Sequence, residues 1–114
     1  MKAKVLFKIL SVVFILTSAS YGKVINVYPA VSDQADTYPT IQKAIDAAED
    51  GDEIIIQQGT YDENIVIKKS ITLRGEPDQF VTITGVPNST DKMLCRVENV
   101  NECLLANIIF NPSN

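Results

Sequence analysis

Histidine and tryptophan are absent from this 114-residue chain, cysteine and methionine occur twice each, and glycine and proline five times each. Without histidine, the serine-histidine-acid and cysteine-histidine arrangements have no base, and histidine-ligated metal is excluded. Two cysteines alone cannot close a tetrahedral zinc site. Gly51, Gly59, Gly75 and Gly85 are too dispersed to form a phosphate-cradling loop. A long hydrophobic run is also missing: the largely apolar stretch bounded by Lys8 and Thr17 falls short of the ~20 residues that a membrane-spanning helix requires.

That stretch has a different use. Lys2, Lys4 and Lys8 precede the apolar run Ile9 to Leu16, and small residues Ser18, Ala19 and Ser20 follow it, the three-part pattern of a secretory signal. Residues 1–22 are therefore expected to be a cleaved leader, and residues 23–114 an exported chain that is secreted, periplasmic or on the cell surface. Removing the leader takes away three lysines and no acid, which moves the formal charge from −4 to −7. An acidic chain lacks the basic surface that nucleic acid or anionic lipid needs, so neither is expected as a partner. Cys95 and Cys103 meet an oxidising compartment after export. One disulfide is conceivable, but the register proposed below puts them on different faces of a coil, while bridging needs Cα atoms within about 7 Å. Buried free thiols acting as small apolar side chains are the preferred reading.

What is present is a change of period. Ile41, Ala44, Ile45 and Ala48 recur at i, i+3, i+4 and i+7, which predicts a helix over about residues 39–50 with Pro39 in its first turn and Gly51 at its stop. Beyond Gly51 the apolar residues come as β-branched triplets, Ile54 to Ile56, Ile65 to Ile67, Ile71 to Leu73 and Val81 to Ile83. Gly, Asn, Asp, Lys or Pro separates each triplet from the next, so these read as short strands joined by corners. Ahead of the helix, Val24, Ile25 and Val27 predict an edge strand, and Pro29 to Thr37 a loop.

The same residues carry a resemblance. T-I-Q-K-A-I-D-A-A at 40–48, G-D-E-I-I-I at 51–56, G-T-Y-D-E-N-I-V-I at 59–67 and I-T-L-R-G at 71–75 resemble, in order, the start of pectin-lyase-like right-handed parallel β-helices, a superfamily that includes pectinesterases and non-catalytic NosD-like proteins. The resemblance spans residues 38–110. It implies a mainly β fold, a right-handed parallel β-helix of about two coils with an amino-terminal capping helix, and a carbohydrate such as pectin as a partner.

Spacing suggests how the coils stack. Ile55 to Thr82, Ile67 to Val97 and Leu73 to Leu105 are separated by about one repeat each. Ile65–Ile67 is thus expected under Leu94–Val97, Ile71–Leu73 under Cys103–Leu105, and Ile54–Ile56 under Val81–Ile83, with the largest loop at Val86–Lys92. After Phe110 come only Asn111, Pro112, Ser113 and Asn114, with no second capping helix, so a fragment of a longer β-helix with a bare carboxyl-terminal edge is expected.

Carboxylates are the remaining source of chemistry. Glu49, Asp50, Asp52 and Glu53 offer the oxygen ligands that calcium takes, but not at the calcium-loop spacing, and a solvated turn is the commoner meaning. Asp62 and Glu63 suggest an acid and base pair, yet neighbouring strand residues face opposite ways, so Tyr61 is read as packing and Glu63 as holding the turn. Arg74 and Arg96 suit a uronate carboxylate, but Glu76 and Glu98 stand ready to occupy them. Asn99, Asn101 and Asn107 are assigned to corners. Asn88, Ser89 and Thr90 form a glycosylation sequon.

No catalytic, cofactor-binding or metal-binding residue is assigned, and no cofactor. The leading expectation is an exported, non-catalytic, carbohydrate-associated β-helix segment. Its rivals are the amino-terminal part of a pectinesterase or polysaccharide lyase, and an interaction module that pairs through its open carboxyl-terminal edge.

Overall fold

Residues 22–30 and 34–113 are described in a computed structural model. The expected leader lies outside the described residues apart from Gly22, and no helix among the described residues is long and apolar enough to cross a membrane. Among the described residues the chain is mainly β, with parallel sheets and one short helix. Its elements are β1 (Val24–Val27), β2 (Thr37–Tyr38), α1 (Ile41–Ala47), β3 (Glu53–Ile56), β4 (Gly59–Tyr61), β5 (Ile65–Ile67), β6 (Thr72–Gly75), β7 (Val81–Ile83), β8 (Cys95–Val97), β9 (Leu104–Ala106) and β10 (Ile108–Phe110).

Three open sheets hold these strands, in the orders β2-β1-β3-β6-β9, β4-β7-β10 and β5-β8. Every pairing is parallel. From β3 onward the chain visits the three sheets in strict rotation, so each strand lies beside the one formed three strands earlier. Alternation along the strands does the packing. Ile25, Ile54 and Leu73 align in one inward row, and Ile65, Ile67, Val81 and Ile83 point to the same interior, all essentially buried.

Two of the three expected registers hold: Ile67 pairs with Val97 and Leu73 with Leu105. The third does not. Ile54–Ile56 lies against Leu73–Gly75, and Val81–Ile83 lies against Gly59–Tyr61 and Ile108–Phe110. The error has a physical source, because Gly59-Thr60-Tyr61 forms a strand with only one large apolar side chain. Counting apolar triplets skips it and assigns its partner to the strand before.

β1 is likewise not an edge, since β2 pairs on one side of it and β3 on the other. The expected Pro29–Thr37 loop thus ends in a short strand.

The helix is shorter than the apolar period suggests. Thr40 is its N-cap, with extended backbone and a side chain that accepts from the Lys43 N–H at 3.2 Å, so Pro39 lies outside the first turn. Ala48 turns extended and ends the helix three residues before Gly51. Ile41, Ala44 and Ile45 are buried on the strands, as their spacing predicts.

The expected large loop runs between β7 and β8. Asn64 pins it from below, accepting from the Val86 N–H at 2.8 Å and donating to the Asp91 carbonyl at 2.7 Å. Gly85 starts the loop at φ +84, and a Cβ there would meet Leu94 at 2.6 Å and the Asn64 side-chain oxygen at 3.0 Å. Only glycine fits both demands.

Candidate functional site

Most of the candidate acidic residues are engaged in structure. Asp52, only 4% exposed, accepts from the Lys23 N–H at 2.9 Å and the Glu49 N–H at 2.8 Å, and Asp50 accepts from the Ser70 N–H at 2.8 Å. Glu53 pairs with Arg74 across β3 and β6. Three of the four candidate calcium ligands are thus committed to backbone N–H groups or a guanidinium, and among the described residues no group of three metal-ligating side chains converges.

Asp62 and Glu63 point apart. Asp62 accepts from the Thr84 hydroxyl. Glu63 serves the helix instead of the turn it is expected to hold: its two oxygens accept from the Ile41 and Gln42 N–H groups at 2.9 and 3.0 Å, at the start of α1. Lys69 serves the other end of α1, donating to the carbonyls of Ile45 at 3.1 Å, Asp46 at 2.7 Å and Ala48. A carboxylate at the helix start and an ammonium at its end both match the helix dipole. Both groups flank β5, so this strand grips the helix from end to end.

The arginines have partners as well. Arg74 takes Glu53 rather than the expected Glu76, because Glu53 stands one strand over in register with Thr72. Glu76 instead accepts from the Tyr28 hydroxyl at 3.3 Å. Arg96 bonds Asp91 at 3.1 Å and approaches the expected Glu98 at 3.7 Å. Tyr61, 5% exposed, donates to the Gln57 carbonyl at 2.7 Å, and burial, with Glu63 and Glu76 nearby, pushes its phenol up to about 12. Of the corner asparagines, Asn99 and Asn107 adopt left-handed backbone at φ +53 and +57, whereas Asn101 does not. The sequon residue Asn88 is exposed at φ +60 in a turn closed from the Ser89 N–H to the Val86 carbonyl.

The two ends of the sheets differ. At the carboxyl-terminal end, β8, β9 and β10 are each the last strand of their sheet. Their inward side chains Val97, Leu105 and Phe110 remain 45%, 36% and 38% exposed, although the residues aligned with them one strand below, Ile67, Leu73 and Ile83, are fully buried. Cys95 and Cys103 belong to this end. Both are free thiols packed against the core, and they are half-buried rather than buried because no further strand among the described residues covers them. Burial pushes both thiols up, and for Cys95 the neighbouring Cys103 adds to the effect.

No protein-family model, characterised protein or solved structure matches this chain.

At the opposite end the edge of β5 is closed by a side chain that the apolar pattern does not reveal. Ile65 donates to the Leu94 carbonyl and Ile67 accepts from the Glu98 N–H, so both face β8. Val66, between them, directs its N–H and carbonyl the other way, where a preceding strand would lie. Gln42 of α1 takes both: its Oε1 accepts from the Val66 N–H at 2.8 Å and its Nε2 donates to the Val66 carbonyl at 3.1 Å. Asp46 accepts the second Nε2 proton at 2.9 Å and so fixes which way the amide points. The sequence signal for this was the polar i, i+4 pair Gln42 and Asp46 on a helix whose other face is apolar.

Proposed function

We propose that this chain is the capped amino-terminal segment of a right-handed parallel β-helix of the pectin-lyase-like kind, exported, without catalytic activity of its own, and serving as a carbohydrate-associated scaffold. The observation that carries the reading is the difference between the two ends. One is covered by α1, β2 and the Gln42 amide, while the other presents three strand edges over a half-exposed apolar interior. The strict rotation of strands through three parallel sheets supports a coil, and the backbone and arginine partners of Asp52, Glu53 and Glu63 support a structural role for these carboxylates.

In this reading the open end seats the next turn of a β-helix. The same three edges favour a second reading, an interaction module that pairs there with another chain. Its apolar side chains lie at contact range, whereas the net negative charge repels only over about a Debye length of ~8 Å at physiological salt. Sedimentation velocity on residues 23–114 tests the end directly. Concentration-dependent association that strengthens with salt and is reversed by Ile109→Lys is expected. A salt-independent monomer at tens of micromolar, unchanged by Ile109→Lys, contradicts the reading.

A further inference from the structure

The loop between β7 and β8 holds a motif that the scaffold reading leaves unused. Val86, Pro87, Asn88 and Ser89 form a turn closed at 3.1 Å from the Ser89 N–H to the Val86 carbonyl. Proline at its second position and φ +60 at Asn88 in its third make it a type II turn. Asparagine tolerates the left-handed conformation better than most side chains, so backbone geometry alone accounts for Asn88. It does not account for Thr90, two residues further on.

Other side chains hold the loop. Asn64 takes the Val86 N–H and the Asp91 carbonyl, the Ser89 hydroxyl accepts from the Asp91 N–H at 3.1 Å, and the Asp91 carboxylate accepts from the Met93 N–H at 3.0 Å. Asn88 and Thr90 are exposed, and neither lends a side chain to these bonds. The two groups that an N-x-S/T acceptor requires are thus the two that the loop leaves in solvent. Asn111-Pro112-Ser113 makes the contrast: proline in the middle excludes it as an acceptor, and its serine hydroxyl donates to the Thr84 carbonyl at 3.3 Å. Asn88 lies outside the core, so a bulky group added there displaces no buried side chain. Its surroundings also offer something to cover. Val86 and Met93 are 50% and 52% exposed and Lys92 stands in solvent, in the kind of exposed loop where proteases nick folded chains.

We propose that Asn88 is the acceptor of an N-linked glycan, attached as the chain is exported, and that this glycan shields the β7–β8 loop. Attachment presupposes the export reading of residues 1–22. The co-reactant is a polyprenyl-diphosphate-linked oligosaccharide. The Asn88 amide nitrogen bonds to C1 of its first sugar while the C1–O bond to the diphosphate breaks. Polyprenyl diphosphate leaves with that electron pair, and the amide gives up one proton to a base of the transferase.

The test expresses the full chain in a eukaryotic secretory host, once with residues 1–22 as leader and once with a leader of that host in their place. Chain recovered from the secretory route in the second case is expected to carry a glycan that peptide-N-glycosidase removes, leaving the amide-to-acid mass change at position 88. Two variants should carry none while melting with the deglycosylated parent: Asn88→Gly, which suits the left-handed turn, and Thr90→Ala, which touches none of the bonds that hold the loop. Trypsin cleavage after Lys92 should be at least severalfold slower in the glycosylated parent than after the glycan is removed. An unmodified Asn88 in the recovered parent, or a glycan that persists in either variant, overturns the acceptor. Equal cleavage after Lys92 overturns the shield. Failure of the export reading shows separately, as a chain that stays in the cytosol behind residues 1–22 but enters the secretory route behind the host's leader.

Discussion

Glu63 and Ile41, 22 residues apart in sequence, are joined at 2.9 Å by a hydrogen bond from the first helical N–H to a carboxylate beside β5. The other oxygen of the same carboxylate takes the Gln42 N–H. A single side chain thus satisfies two of the N–H groups that a helix start leaves open. Glu63→Ala is expected to cost about 1–3 kcal/mol, the range for orphaning partly buried donors. For a domain of this size each kcal/mol lowers Tm by roughly 4–8 °C. Asp62→Ala, which removes an exposed contact to Thr84, should change stability by less than about 0.5 kcal/mol. Thermal melts followed by circular dichroism compare the two, and equal Tm values would count against the grip of β5 on the helix.

The apolar face of α1 makes a sharper contrast. Ile45→Asp or Ile41→Asp places a carboxylate with no partner in the buried core cluster that also holds Ile25, Val27 and Ile65, with an expected loss of about 3 kcal/mol or more. Lys43, on the same helix, is exposed, and Lys43→Asp should be nearly neutral. Urea titration measures all three, and a common midpoint would show that the helix does not cover the core.

Tyr61 links stability to alkaline pH. Its folded-state value, about 12, lies above the ordinary phenol value of 10.0, first because of burial and then because of Glu63 and Glu76. A group raised on folding stabilises fully below its unfolded value and loses that contribution as pH climbs to the folded one. The stabilisation is thus intact below pH 10 and fades between pH 10 and about 12, with an upper bound of about 2–3 kcal/mol from a two-unit difference. Tyr61→Phe should flatten this part of the pH profile while costing about 1 kcal/mol at neutral pH for the lost bond to the Gln57 carbonyl. An unaltered profile in the variant would place the alkaline transition elsewhere.

Residues 23–114, on the scaffold reading, should neither release methanol from pectin nor form unsaturated uronate, because Asp62 and Glu63 point to different partners and Arg74 and Arg96 carry acids already. Activity above a boiled control, lost in Asp62→Asn or Glu63→Gln variants that melt with the parent, would reverse that reading.

The sequence by itself determined the parts of this protein that depend on local period. The i, i+3, i+4 row of Ile41, Ala44 and Ile45 located the buried helix face, and the β-branched triplets located β3, β5 and β7. Two registers followed because strands of like composition sit one repeat apart. Tertiary structure alone decided what period does not encode. Gly59-Thr60-Tyr61 is a strand because β7 lies beside it, not because it is apolar, and missing it misplaced the partner of Ile54–Ile56. Arg74 chose Glu53 over Glu76 because register, not sequence distance, sets which charges meet across a parallel sheet. The most consequential contacts, Glu63 on Ile41 and Gln42 on Val66, are polar side chains meeting backbone groups more than twenty residues away. Backbone donors and acceptors are identical along the chain, so only the folded path shows which of them lack a partner and which side chain arrives to provide one.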